Sequence, residues 1–319
     1  MADEPCIAEV PAEVSMSAGP LVVLMCSYNR RAHTLAALEA LFSQATAEQL
    51  QVFLLDDASS DGTAEAVRSR FPQVHVIAGT GALYWNGGMR KAWQQALAQQ
   101  PSAPAFIWMN DDVLLDHDAL ARLLKAWHQA ESISTQPVGA VVGAMRQPGS
   151  QLLSYGGRRR RSRWRPLQLG PLLPESAALQ HCDFINGNWC LIPAAVVSRI
   201  GILSPHFSHS MGDYDYGLRA QQAGFSLWQA PGSFGECAVN SGKGGVLDAA
   251  LPMSQRLQLL TQPNRWPPAD EWQYFVRCHG GPFHVLGQIR VLVRKYCPRL
   301  FLWLRQQHFP VHNGSRNAD

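Results

Sequence analysis

Three short stretches carry carboxylates where chemistry could use them. Asp56-Asp57 follow the apolar run Gln51-Val-Phe-Leu-Leu55, Asn110-Asp111-Asp112 follow Ala105-Phe-Ile-Trp-Met109, and Gly212-Asp213-Tyr214-Asp215 opens a helix-spaced segment. A divalent cation that neutralises a diphosphate takes one or two protein carboxylates and completes its shell with phosphate oxygens and water. Neighbouring aspartates at a strand end are placed for that work. A carboxylate at a helix start is placed to take a proton from a hydroxyl. The helix dipole is expected to lower its pKa, so position should matter more than basicity. Each stretch also has an ordinary reading: Asp111 or Asp112 caps a turn, and Asp213 caps its helix while Arg219 pairs with a carboxylate.

The elements that must hold these groups alternate. Leu21-Val-Val-Leu-Met-Cys26 is an apolar run of the kind found in strands buried on both faces. A helix is expected over Thr34 to Gln44 with Thr34 as N-cap, then a strand at 51–55. A second helix is expected over Ala64 to Phe71, capped by Asp61 or Thr63. A strand at Val74–Ile77, a glycine-rich loop over 79–88, a helix from Met89 to Gln99, the strand at 105–109 and a helix over Ala119 to Ala130 follow. Such a βα series predicts a doubly wound, mostly parallel α/β sheet flanked by helices, with ligands beyond the carboxyl ends of the strands. Further on, Asp183 to Pro193 is strand-like, Ala194 to Ile200 is helical, Gly224 closes the helix opened at 212, and Phe225-Ser-Leu-Trp228 is a strand. From Gly232 the pattern is irregular, then helical over Gln288 to Gln307. The division expected is a loose leader at 1–20, a catalytic domain at 21–235 and a helical appendage at 236–319. The domain itself divides into two halves, at about 21–130 and about 131–235.

Composition narrows the function. The chain has 319 residues, 46% hydrophobic and 16% charged, enough for one large α/β domain and an appendage. A net charge of +3 does not call for nucleic acid but suits acidic ligands such as diphosphates. Seven cysteines without a Cys-x-x-Cys pair argue against a disulfide framework or zinc knuckle and fit a reducing cytosol. The acidic start lacks the pattern of a secretory signal, and no apolar run is long enough to span a membrane.

The motifs together resemble the family 2 glycosyltransferases with the GT-A fold, over about Val22 to Trp228. The resemblance rests on Cys-Ser-Tyr-Asn-Arg at 26–30, Leu-Asp-Asp-Ala-Ser-Ser-Asp-Gly-Thr at 55–63, Gly-Thr-Gly-Ala-Leu-Tyr-Trp at 79–85 and Trp-Met-Asn-Asp-Asp-Val at 108–113. Asn-Gly-Asn at 186–188 and Gly-Asp-Tyr-Asp-Tyr-Gly-Leu-Arg at 212–219 complete it. The sub-pattern looks most like rhamnosyltransferase-type enzymes of O-antigen or capsule assembly. The resemblance implies a donor side of Cys26, Tyr28, Asn29, Arg30, Asp57, Gly81, Trp85, Asn86 and Asp111, with Tyr28 and Asp57 on the nucleotide base. It implies Asp112 as ligand for Mg²⁺ or Mn²⁺, Asp213 as catalytic base of a single inverting displacement, and Asn186, Asn188, Trp189, Asp215 and Arg219 on the acceptor side. The donor implied is a dTDP- or UDP-sugar and the acceptor a glycan or lipid-linked glycan. Two residues depart from the family pattern: Asn110 stands for the first Asp of Asp-x-Asp, and Gly212 for the Glu before the base. The late His that completes the metal site in related enzymes has no counterpart between His209 and His279.

The remaining features are basic or negative. Gly79-x-Gly81 lacks the third glycine of a dinucleotide fingerprint. Six arginines between Arg158 and Arg165 form a basic loop suited to phosphate. Arg290, Arg294, Lys295 and Arg299 lie among apolar residues in an amphipathic pattern, which points to peripheral attachment at the cytoplasmic face of an anionic membrane. A sugar nucleotidyltransferase and a non-catalytic glycan- or nucleotide-binding module are the alternatives. A nucleotidyltransferase would carry a Gly- and Lys/Arg-rich loop after strand one, where Ser27-Tyr28-Asn29 stands.

Overall fold

The computed structural model describes residues 19–44, 50–162, 167–239 and 244–308. The chain folds as a mixed α/β layer structure around one mostly parallel sheet, as expected. Strands β1 (Leu21–Ser27), β2 (Leu50–Asp56), β3 (His75–Ala78) and β4 (Ala105–Met109) alternate with helices α1 (Arg31–Phe42), α2 (Thr63–Arg70), α3 (Tyr84–Gln99) and α4 (Ala119–Ile133). The four strands run parallel in the order β3-β2-β1-β4. The sheet continues through β11 (Trp189–Pro193), antiparallel to β4, then β6 (Val138–Arg146), β12 (Ser226–Glu236) and β10 (Gln180–His181). Two further helices, α5 (Ala194–Ile200) and α6 (Gly212–Gln222), lie between β11 and β12.

Both faces of the sheet are covered. On one side Val23, Met25, Leu38, Leu41 and Trp127 belong to one core; on the other, Val22, Leu24, Trp93, Trp108 and Tyr216 belong to a second. Alternate residues of β1 serve opposite cores, which is why its sequence is apolar without alternation.

The boundaries correct several expectations. Thr34 is not an N-cap: α1 starts at Arg31, and the buried Thr34 hydroxyl donates to the Arg30 carbonyl and pairs with Ser27 Oγ at 2.8 Å. Helix α3 begins at Tyr84 rather than Met89. The Asp57 carboxylate accepts the N–H groups of Leu83 and Tyr84, donors that a helix start leaves unsatisfied. Strand β12 runs on to Glu236, because bulges at Gln229/Ser233 and Ser233/Glu236 absorb Pro231 and Gly232, and its end pairs with β5 (Leu114–Leu115). Part of the expected arginine loop is a strand, β8 (Arg158–Arg160), paired with β9 (Leu169–Leu172); β7 (Leu153–Tyr155) pairs with β6. Arg163, Trp164 and Arg165 lie outside the described residues, as do residues 1–18 of the expected leader.

The helical end is four helices rather than one: α7 (Met253–Leu259), α8 (Ala269–His279), α9 (His284–Tyr296) and α10 (Pro298–His308). Pro298 cannot continue a helix from Tyr296, so α10 restarts there. Arg294, expected on the exposed basic face, is buried and donates to the Leu260 carbonyl; burial lowers its pKa to about 10. Among the described residues no helix is long and apolar enough to cross a membrane.

Candidate functional site

The carboxyl ends of β1, β2 and β4 open on one rim. Arg30, just past β1, reaches Asp112 Oδ2 at 2.9 Å and Asp111 Oδ1 at 3.4 Å, just past β4. One guanidinium therefore holds both aspartates. Asp111 is buried, which pushes its carboxyl up to about 6 although Arg30 opposes the shift, and its Oδ2 has no hydrogen-bond partner. Cys237, which follows β12, places its Sγ 3.5 Å from Asp112 Oδ1. Burial raises this thiol, and the neighbouring Asp112 raises it further, so it stays protonated and can donate.

Asn110 sits in a hydrogen-bonded chain that explains why it replaces an aspartate. Its Oδ1 accepts from Trp85 Nε1 at 2.8 Å, and its Nδ2 donates to Asn188 Oδ1 at 3.2 Å. Asn188 Nδ2 in turn reaches Cys237 Sγ at 3.1 Å. An aspartate can accept from the indole but cannot donate to Asn188. The loop before β11 fits this chain: Asn186 Oδ1 accepts from Asn188 N–H, and Gly187 lies so close to the Trp85 ring that a Cβ there would collide with it.

Helix α6 brings Asp213 to the same loop. Its carboxylate accepts from the N–H of Tyr214 at 2.8 Å and from the backbone of Gly187. Burial pushes it up to about 6, the opposite of the dipole-lowered value expected from sequence. Desolvation outweighs the helix end here, and a base near neutrality is what proton abstraction needs.

The other departure, Gly212, also has a steric cause. A Cβ at 212 would run into the Asn86 carboxamide. Asn86 is fully buried and donates to the carbonyls of Ser204 at 2.9 Å and Phe207 at 2.6 Å, so it braces the loop before α6 instead of facing open space.

The remaining expected residues fall into two groups. At the rim, Tyr28 is 52% exposed. Asn29, with φ 51°, clips the β1–α1 loop to the β2–α2 loop through Ser59 and Ser60. Asp57 is buried, and its two oxygens accept N–H groups from Thr80, Gly81, Leu83 and Tyr84, so it fixes the loop that carries Trp85. The Cys26 thiol lies under α3 at 3.6 Å from the Tyr84 carbonyl. Away from the rim, Trp189 is fully buried in the core. Asp215, 1% exposed, is spent on Arg219 at 2.8 Å and His279 at 2.8 Å. Arg219 also donates to the carbonyls of Ile200 and Ile202. The structure thus gathers Arg30, Trp85, Asp111, Asp112, Asn188 and Asp213; Asn86, Trp189 and Asp215 are buried away from solvent, and the partly exposed Arg219 is spent on Asp215 and two carbonyls.

Two neighbours escaped the sequence reading. Cys237 had no motif around it; its position just past a strand end was the only clue. His209 read as one isolated histidine, yet its Nδ1 stands 3.4 Å from the Trp85 nitrogen, and its ring meets Tyr84 edge-on.

The profile of glycosyl transferase family 2 matches residues 22–182, half of the chain. The chain belongs to this family. No curated protein matches it in sequence. Among solved structures this glycosyltransferase resembles the mannosyltransferase PcManGT from Pyrobaculum calidifontis, in complex with GDP-Man and Mn²⁺, with a TM-score of 0.50 at 15% identity over 94% of this chain and 77% of that one. S. aureus TarS, residues 1–349, gives a TM-score of 0.51 at 13% identity over 88% and 82%. Both likenesses concern the fold, which is that of GT-A glycosyltransferases. The family match ends before Asp213, so α6 and its supports lie beyond the matched segment of this glycosyltransferase.

Proposed function

We propose that this family 2 glycosyltransferase transfers a sugar, with inversion, from a nucleoside diphosphate sugar to a hydroxyl of a glycan or lipid-linked glycan in surface polysaccharide synthesis. One observation carries the reading: a chain of contacts runs from Asp213 through Gly187, Trp85, Asn110, Asn188 and Cys237 to Asp112, which links a candidate base to a candidate anion-neutralising centre. The acceptor hydroxyl loses its proton to Asp213 as its oxygen bonds the anomeric carbon, and the bond from that carbon to the diphosphate breaks. Acting as a single base on the acceptor, Asp213 would make this one displacement. Arg30 is placed to take charge on the leaving diphosphate, since its guanidinium fork suits phosphate oxygens.

A divalent cation fits the residues present. Asp111 Oδ2 is buried without a partner, and Asp112 Oδ1 faces only a thiol. Among the described residues no three His, Cys, Asp or Glu side chains gather as a metal site, so the protein would give one or two ligands, Asp112 first, and the diphosphate the rest. The bound ion would supply charge neutralisation at the leaving group. Mn²⁺ beside GDP-Man in PcManGT supports this choice of ion. The sub-pattern suggests dTDP-rhamnose as the donor to try first, with galactose, glucose or an N-acetyl sugar on uridine diphosphate as the alternatives, since cleft shape decides base and sugar.

Transfer from a panel of dTDP-, UDP- and GDP-sugars with Mn²⁺ tests the reading. Asp112→Ala and Asp213→Ala should each remove turnover while the melting profile stays cooperative; near-normal turnover in either overturns that residue's role. One observation favours a metal-independent version, namely that Arg30 already neutralises both aspartates. Turnover that survives EDTA and is lost in Arg30→Ala would establish it.

A further inference from the structure

Helices α9 and α10 are apolar on two sides. Their inner sides are spent in the fold: Val291 and Leu302 are buried, and Leu302 packs with Val246 and Leu260. Their outer sides are apolar as well. Val285, Ile289, Leu292 and Tyr296 follow each other at spacings of four, three and four along α9, which sets them on one helix face. Leu300 and Trp303 continue at a spacing of three on α10. These six side chains are 45–72% exposed. Six exposed large apolar side chains on two successive helices of a folded chain mark a surface that something covers.

The charges say what covers it. Residues 272–308 hold six Arg or Lys (Arg277, Arg290, Arg294, Lys295, Arg299 and Arg305) and no Asp or Glu. Arg290, Lys295 and Arg299 are exposed beside the apolar stripe. A two-fold dimer through this face would set the same basic side chains against each other, because both subunits present the same patch. A lipid surface carrying anionic headgroups satisfies both features at once: acyl chains take the stripe and headgroups take the cations. Aromatic residues such as Tyr296 and Trp303 suit the boundary between the two. With 13 and 11 residues, the helices are too short to span a bilayer and are sized to lie along it.

We infer that α9 and α10 form a membrane-docking surface that seats the glycosyltransferase on anionic phospholipid. None of these side chains belongs to the set gathered around Asp112 and Asp213, so docking and transfer chemistry can fail independently.

The test is flotation of the full chain with vesicles of phosphatidylcholine containing about one-third phosphatidylglycerol, against vesicles of phosphatidylcholine alone. The chain should float with the anionic vesicles, and raised salt should weaken this. Arg290→Glu/Lys295→Glu/Arg299→Glu should cut partitioning about 100-fold. Ile289→Asp/Leu292→Asp should abolish it. Both variants should keep the parent melting temperature and turnover on a soluble acceptor. Should the aspartate pair disturb folding, the charge reversal alone decides. No flotation at low salt overturns the inference, as does equal flotation on neutral vesicles. A dimer in light scattering that Ile289→Asp/Leu292→Asp dissociates, without any lipid binding, also overturns it and assigns the face to a second copy.

Discussion

His279 Nε2 lies 2.8 Å from Asp215 Oδ1, with both side chains almost wholly buried. The pair ties α8 to α6, the helix that carries Asp213. Two more contacts reinforce it: Glu271 Oε1 accepts from the Ser208 hydroxyl at 2.6 Å and from its N–H at 3.1 Å, and Gln222 meets His279 Nδ1 at 3.3 Å. Helix α8 thus braces the helix that carries Asp213 and the loop before it.

His279→Ala leaves Asp215 buried with Arg219 as its remaining side-chain partner. Leaving a buried polar group short of a hydrogen bond costs about 3 kcal/mol. Thermal unfolding should show that loss, and turnover at a temperature where the variant is still folded should fall as well, because α6 loses its anchor. An unchanged melting temperature would show that the contact is not maintained in solution.

Asp213→Asn should cut turnover by about 10²- to 10⁴-fold. The parent kcat/KM should fall on the acid side with an apparent pKa near 6, where Asp213 takes up its proton. The stability effect has the opposite sign. The folded-state pKa is raised from 3.8 to about 6, so the protonated form is favoured in the fold and ionisation costs stability as pH rises through that window. Asn carries no such cost. The variant should therefore melt higher than the parent at pH 8, by up to about 3 kcal/mol, and equal it near pH 4.

Gly212→Glu restores the family's residue yet should impair the protein, because the new side chain meets the Asn86 carboxamide. Overpacking of this kind costs about 1–3 kcal/mol. Asn86→Gly in the same chain should recover part of the loss, although it also removes the hydrogen bonds to Ser204 and Phe207. A double-mutant cycle measures the coupling; additive effects would mean that the two side chains do not compete for space.

Asn110→Asp rebuilds the Asp-x-Asp pattern and should not improve catalysis. It places a carboxylate oxygen against Asn188 Oδ1 and removes the donor between them, at a cost of about 1–3 kcal/mol. Tryptophan fluorescence should report the disturbance through Trp85, whose indole shares the chain. A variant with higher turnover and unchanged melting would contradict this account of Asn110.

Much of the fold was legible because its signals are local. The continuous apolar runs of β1, β2 and β4 mark strands buried on both faces, and the strand-end aspartates followed from them. What stayed hidden depends on partners far along the chain. The early start of α3 needs Asp57, 27 positions before Tyr84, to accept its first N–H groups. The strand at Arg158–Arg160 exists through β9 and a bridge from Arg158 to Phe184, and β12 gains its length from its bulged pairing with β6 and β5. In the candidate site, the motif resemblance pointed to Arg30, Asp112 and Asp213 as site residues, and the fold brings Arg30 onto Asp112. Spacing on α6 could not separate the rim from the interior, because Asp213 and Asp215 look alike in sequence and only the packing of His279 divides their roles. Cys237 was missed because a lone cysteine carries no pattern.

The brace on the helix that carries Asp213 also orders events during synthesis. The donor-side strands and the family-matched segment leave the ribosome well before Glu271 and His279. A nascent chain can therefore collapse around its sheet and hold Asp57, Asp111 and Asp112 in place while α6 is still unsupported. Helix α6 therefore gains its support only once residues 269–279 have emerged and docked as α8.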